Sequence, residues 1–182
     1  MRSELRTHAG DVYRLSLRDV ERTLDLADRL VTSHVEKVER GLAVLRNDPS
    51  QAAIEIVSDE AHYANLDIAY IWTFALWRLQ AVFEGIISQS FLPLTPKPLV
   101  GLRRKLSALK DAGFSVPIAD EDAVSQWAEL RNRLSHEPPY FYHGVWLERG
   151  DVEEYARLVV RLVTQWSESK ELPVYHPRFV AE

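Results

Sequence analysis

The chain has no cysteine. That excludes a disulfide framework, a thiolate metal site and a cysteine nucleophile, and it suits a cytoplasmic setting. There is no apolar run long enough to span a bilayer. The most apolar stretch, Ile68 to Trp77, is followed by Arg78, Gln80 and Glu84 and reads as a buried helix. Met1 to Gly10 lack the apolar core of a signal peptide, so neither membrane contact nor export is expected. No segment alternates apolar and polar residues as a half-buried strand does, and no unit repeats. Gly-rich phosphate loops and nucleophile motifs are absent as well. Basic excess is missing too. A formal net charge of −5 argues against a protein that coats nucleic acid by bulk charge, but it leaves room for a small basic cleft.

What is present is helical periodicity. The 182 residues fit one domain with a substantial core, and 46% hydrophobic content supports a globular chain. From Leu17 to Leu45 an apolar seam runs Leu17, Val20, Leu24, Ala27, Val31, His34, Val38, Gly41, Leu45. Its alternating three–four spacing predicts one long amphipathic helix that needs a partner helix. Asp48 suits the N-cap of the next helix, with Pro49 at its first position. That helix should run over about 50–90, with a break near Ser58-Asp59, until Pro93, Pro96 and Pro98 end it. A short basic helix over about 99–112 carries Arg103, Arg104, Lys105 and Lys110 and should stop at Gly113. Another helix opens on Asp120-Glu121-Asp122 and reaches Ser135. A last one begins with Asp151 as its cap and Glu154 as its capping-box partner. The fold class expected is all-α, a bundle of about five helices.

The chemistry concentrates in Arg131-Asn132-Arg133-Leu134-Ser135-His136, at the end of a helix and just ahead of Pro138-Pro139. Arginine offers a permanent positive fork for phosphate oxygens. Histidine exchanges a proton near neutral pH. The two suffice for attack of an RNA 2′-hydroxyl on its own phosphodiester without a metal or other cofactor. Asn132 can orient the imidazole or bind a phosphate oxygen. On a regular helix Asn132 and His136 share a face, while Arg131 and His136 diverge by roughly 140°. Convergence therefore needs either a frayed last turn before Pro138, which lets His136 turn inward, or a second copy across a two-fold axis. The plain alternative is ordinary helix-end chemistry, because the dipole favours cations there.

This string resembles the R-x4–6-H motif of HEPN domains, in which a polar residue often follows the arginine. The helix holding Leu76 to Ile87 looks like the long HEPN helix that precedes the motif helix. The resemblance spans roughly residues 60–170, taken as the core of a single HEPN-like domain over 1–182. The helix at about 15–47 is extra to it. The resemblance implies a metal-independent endoribonuclease that acts as a homodimer, with Arg131 and His136 catalytic and Asn132 supporting. It also implies an RNA substrate and a toxin of a toxin–antitoxin or phage-defence system, restrained by an antitoxin or other regulatory protein. Some HEPN toxins continue the motif as H-x-Y. Here that position is Pro138, and the first tyrosine is Tyr140.

Other residues bear on this reading. Tyr140 and His143 are candidates for stacking on RNA bases, with His143 a possible second proton carrier, whereas Phe141 and Trp146 read as anchors of the loop on the core. Arg103, Arg104 and Lys105 either bind RNA backbone or form a solvated face. Glu84, a carboxylate in an apolar stretch, should be paired or at a site edge, with Arg131 or an arginine of a neighbouring helix as the candidate partner. Glu60, His62 and Asp67 lack the spacing and the duplication of a di-iron bundle, so no metal site is assigned. Two non-enzymatic alternatives stand beside the nuclease: a catalytically silent HEPN-like module that binds RNA or a protein, and a plain dimeric bundle.

Overall fold

A computed structural model of the chain describes residues 14–93, 99–136 and 146–180. The described residues are all-α. The five helices are α1 (Leu17–Leu42), α2 (Gln51–Ile86), α3 (Leu102–Asp111), α4 (Ile118–His136) and α5 (Arg149–Glu168). The seam read in α1 faces inward. Leu17, Val20, Leu24 and Ala27 are buried, and Val31, His34 and Val38 are half-buried. Only at its end does the phase slip, where Leu42 rather than Gly41 turns inward.

Several boundaries differ from expectation, each for a local reason. The N-cap of α2 is Ser50, not Asp48. The Ser50 hydroxyl accepts from Ala53 N at 3.3 Å, while Asp48 accepts from Ser50 N and forms the turn before the cap. No break occurs at Ser58-Asp59, and α2 runs unbroken for 36 residues. It leaves the α form only at Ile87–Phe91, where a wider turn closes through Leu92 N donating to Ile87 O. The middle of α2 is not buried all round, since Tyr70 and Phe74 are 56% and 60% exposed. The expected cap of α5, Asp151, is instead its third residue. Its carboxylate accepts from the backbone N–H of Glu148, which is the N-cap. The predicted stop at Gly113 is present. This residue takes φ 84°, and Phe114 N donates to Leu109 O while Gly113 N donates to Lys110 O. That pair of bonds is the Schellman closure, which a left-handed glycine permits.

The core collects Leu76, Leu79, Val82 and Phe83 of α2, Ile87 of the wider turn that follows it, Leu106 and Leu109 of α3, Val124 of α4, and Tyr155, Val159, Leu162 and Trp166 of α5. Trp166 stacks on Phe83, meets Phe91 edge-on, and donates from its indole to Ser115 O at 2.8 Å. The upper half of α1 belongs to the same cluster, as does Phe179 of the tail. The tail is held to α1 by Glu21, which accepts from the Tyr175 hydroxyl and from Arg178 N and Nε, at 3.1 and 2.7 Å for the last two. These hydrogen bonds hold the Glu21 carboxyl down at about 2. No helix among the described residues is long and apolar enough to cross a membrane.

Candidate functional site

The end of α4 lies over α2 and α3. Gln80 of α2 is 2% exposed, and its amide is committed on both sides. Nε2 donates to Trp127 O at 2.7 Å, and Oε1 accepts from Arg131 Nε at 2.9 Å. Trp127 and Arg131 are one turn apart on α4, so this single amide spans that turn. It fixes the half-buried Arg131 by its inner nitrogen. The terminal guanidinium nitrogens have no hydrogen-bond partner among the described residues.

One turn further along α2 stands Glu84. Its partner is Lys105 of α3, not an arginine as expected. Lys105 Nζ donates to Glu84 Oε2 at 2.9 Å and to Glu84 O at 3.3 Å. Lys105 is itself 8% exposed. Beneath them lies Tyr155 of α5, fully buried, whose hydroxyl has no hydrogen-bond partner among the described residues. Burial pushes this phenol up, Glu84 adds to the rise, and Arg131 opposes it. The Trp77 indole N–H is also buried and without a partner there. Trp77, Ala81, Glu84, Lys105, Arg131 and Ser135 line an open groove of about 470 Å³.

The other site residues are distributed differently. Asn132 lies on the next face of α4 and lines a second groove with Arg103, Arg104 and Glu129. Arg103 is paired there with Glu129 at 3.0 Å, in solvent. His136 is the last residue of α4 and is exposed. The described residues stay helical through His136, so the frayed last turn that would bring it to Arg131 within one chain is not what they show. The two side chains leave the helix roughly 140° apart. Tyr140, Phe141 and His143 lie outside the described residues. Trp146 is not pinned in the core: it is 39% exposed and meets His62 edge-on, while its neighbour Leu147 is buried. Asp67 faces His34 at 3.5 Å, and among the described residues no three histidine or acidic side chains are grouped to hold a metal ion.

Gln80, Trp77 and Tyr155 were not legible as site residues, and Lys105, read as a cation for RNA backbone or a solvated face, is instead buried against Glu84. A signal existed for two of them. Gln80 and Glu84 are polar residues four apart in an apolar helix segment, the spacing that puts both on one face. Lys105 falls in phase with Leu102, Leu106 and Leu109, the inward seam of α3, whereas Arg103 and Arg104 fall outside it.

Comparisons of the chain with protein-family models, with curated proteins and with solved structures find no match.

Proposed function

We propose that the chain is a HEPN-like, metal-independent endoribonuclease that acts as a homodimer. The observation that carries this reading is Arg131. It is a guanidinium held at Nε by a buried neutral amide and lining an open groove, on the same helix end as an exposed histidine. A regular α4 separates Arg131 from His136 within one copy, so two α4 ends related by a two-fold axis would set the arginine of one beside the histidine of the other.

The reaction balances with these groups alone. One imidazole takes the proton of the RNA 2′-hydroxyl as its oxygen bonds to phosphorus. The bond from phosphorus to the 5′-oxygen breaks, and a second protonated imidazole supplies the proton to that oxygen. Arg131 stabilises the charge that gathers on the non-bridging oxygens. The products are a 2′,3′-cyclic phosphate and a 5′-hydroxyl. Under this reading Asn132, Arg103 and Arg104 line the approach of the RNA backbone, and a regulatory protein such as an antitoxin restrains the enzyme in the cell.

The test is RNA cleavage in excess EDTA, followed by identification of the product ends. Cyclic-phosphate ends that vanish with His136→Ala support the proposal. A strict need for a divalent metal, or unchanged cleavage by His136→Ala, overturns it. The divergence of Arg131 and His136 within one chain favours a second reading, a silent HEPN-like module that binds RNA or a protein. Expression in a bacterial host separates the two, because a silent module is tolerated as well as its His136→Ala variant.

A further inference from the structure

Glu84 and Arg131 line one groove and do not form a hydrogen bond or an ion pair. This calls for a cause. A carboxylate and a guanidinium in reach of each other ordinarily form the stronger, forked pair, while an ammonium is a point charge. Glu84 sits one helical turn from Gln80, and Gln80 touches Arg131, so the side chains at 84 and 131 are near neighbours across the groove. Both charges also act on the buried Tyr155 hydroxyl, in opposite directions.

We infer that Lys105 is a positioning residue whose task is to hold Glu84 off Arg131, so that the guanidinium stays available to a phosphate. Lys105 holds Glu84 by its carboxylate and by its backbone carbonyl, from a place with little access to water. Gln80 plays the complementary part. It engages Arg131 through a neutral oxygen, where a glutamate would have neutralised it. With Lys105 in place the groove holds two cations and one anion. Without it, Arg131 is the one cation left among the described residues that line the groove, and its charge is drawn into an internal pair with Glu84. This inference rests on the endoribonuclease reading and adds to it a residue that never needs to touch the RNA.

The experiment uses the full chain and compares wild type, Lys105→Met, Glu84→Gln and the double variant Glu84→Gln/Lys105→Met. Arg131→Ala serves as the reference, and circular dichroism and thermal midpoint are recorded for each. Lys105→Met is expected to lose about 10²-fold in cleavage rate, close to the loss on removing a transition-state donor. The double variant is expected to recover most of it, because no carboxylate remains to capture Arg131. Undiminished cleavage by a folded Lys105→Met, or a folded double variant as inactive as the single one, overturns the inference. A crystal structure of Lys105→Met reads it without catalysis. The Glu84 carboxylate bonded to the terminal nitrogens of Arg131 supports it, and Glu84 still turned away from Arg131 overturns it. Absence of cleavage by the wild type tells instead against the nuclease reading, and the crystal structure then decides the charge arrangement separately.

Discussion

Glu21 and Glu84 are two carboxylates set among packed helices, with side chains 8% and 22% exposed, and their surroundings are completed to different degrees. Around Glu21 the donors close on acids, with Arg178 shared between Glu21 and Asp25. A phenol, a backbone amide and a guanidinium converge on it, and its pKa falls to about 2. Around Glu84 the donors outnumber the acceptors. Lys105 bonds the acid, and the terminal nitrogens of Arg131, the Tyr155 hydroxyl and the Trp77 N–H are left without a hydrogen-bond partner among the described residues. A closed arrangement stabilises the fold and has nothing left for a ligand. A surplus of donors costs stability and is the kind of place where an anion can be received.

The largest expected effect tests the open side of that contrast. Arg131→Ala and His136→Ala should each lower RNA cleavage by about 10²–10⁴-fold with the helical signal in circular dichroism unchanged. Loss of fold instead of activity would make the groove another structural knot. The next effect belongs to the closed side. Glu21→Gln should lower stability at neutral pH by about 1.5–3 kcal/mol, measured by urea denaturation, because hydrogen bonds to a charged acceptor are lost. The pH dependence has a defined sign. The Glu21 carboxyl is lowered from 4.5 to about 2 on folding, so its contribution is fully present above the unfolded value. It is lost as pH falls toward about 2. Wild type and Glu21→Gln should therefore converge in stability over that acid window, and a constant gap would assign the effect to packing.

A smaller change should go the other way. Glu171 takes φ 53° at the turn that follows α5, where Leu172 N donates to Ser167 O. A residue with a Cβ is strained there, so Glu171→Gly should raise the thermal midpoint, by about 1 kcal/mol in stability. A lower midpoint would mean that the freedom glycine adds to the unfolded chain outweighs the strain relieved at this turn. The smallest effect is expected at Arg103, whose pair with Glu129 lies in solvent. Arg103→Ala should change stability by less than about 0.5 kcal/mol. If this arginine meets an RNA phosphate, the same variant should reduce the salt dependence of RNA binding by about one unit of slope.

The comparison also explains what the sequence could disclose. The α1 seam was legible because each of its residues is placed by a period that depends on nothing outside the helix. The stop at Gly113 was legible for the same reason. The tail was not: Tyr175 reaches Glu21 across 154 residues, and no local pattern encodes that meeting. The start of α5 shifted because Glu148 and Asp151 are both acids able to cap, and only the folded turn selects which backbone N–H each one takes. Arg131 and His136 stood out by type and spacing. Gln80 and Lys105 were hidden because one is a neutral residue among apolar ones and the other lies in a run of exposed cations. What makes each of them matter is its partner on another helix.

The length of α2 has one more consequence. At 36 residues it extends for roughly 54 Å, and before His62 its only fully buried residue is Ala53. There it is clasped by the far half of α1, where Val31, His34 and Val38 are only half-buried. The end of α2 from Ala75 to Ile86 runs through the centre of the core. One continuous helix thus carries two different lifetimes. In deuterium its first turns should exchange through small, frequent openings. The turns that carry Gln80 and Glu84 should keep their protons until the whole molecule unfolds.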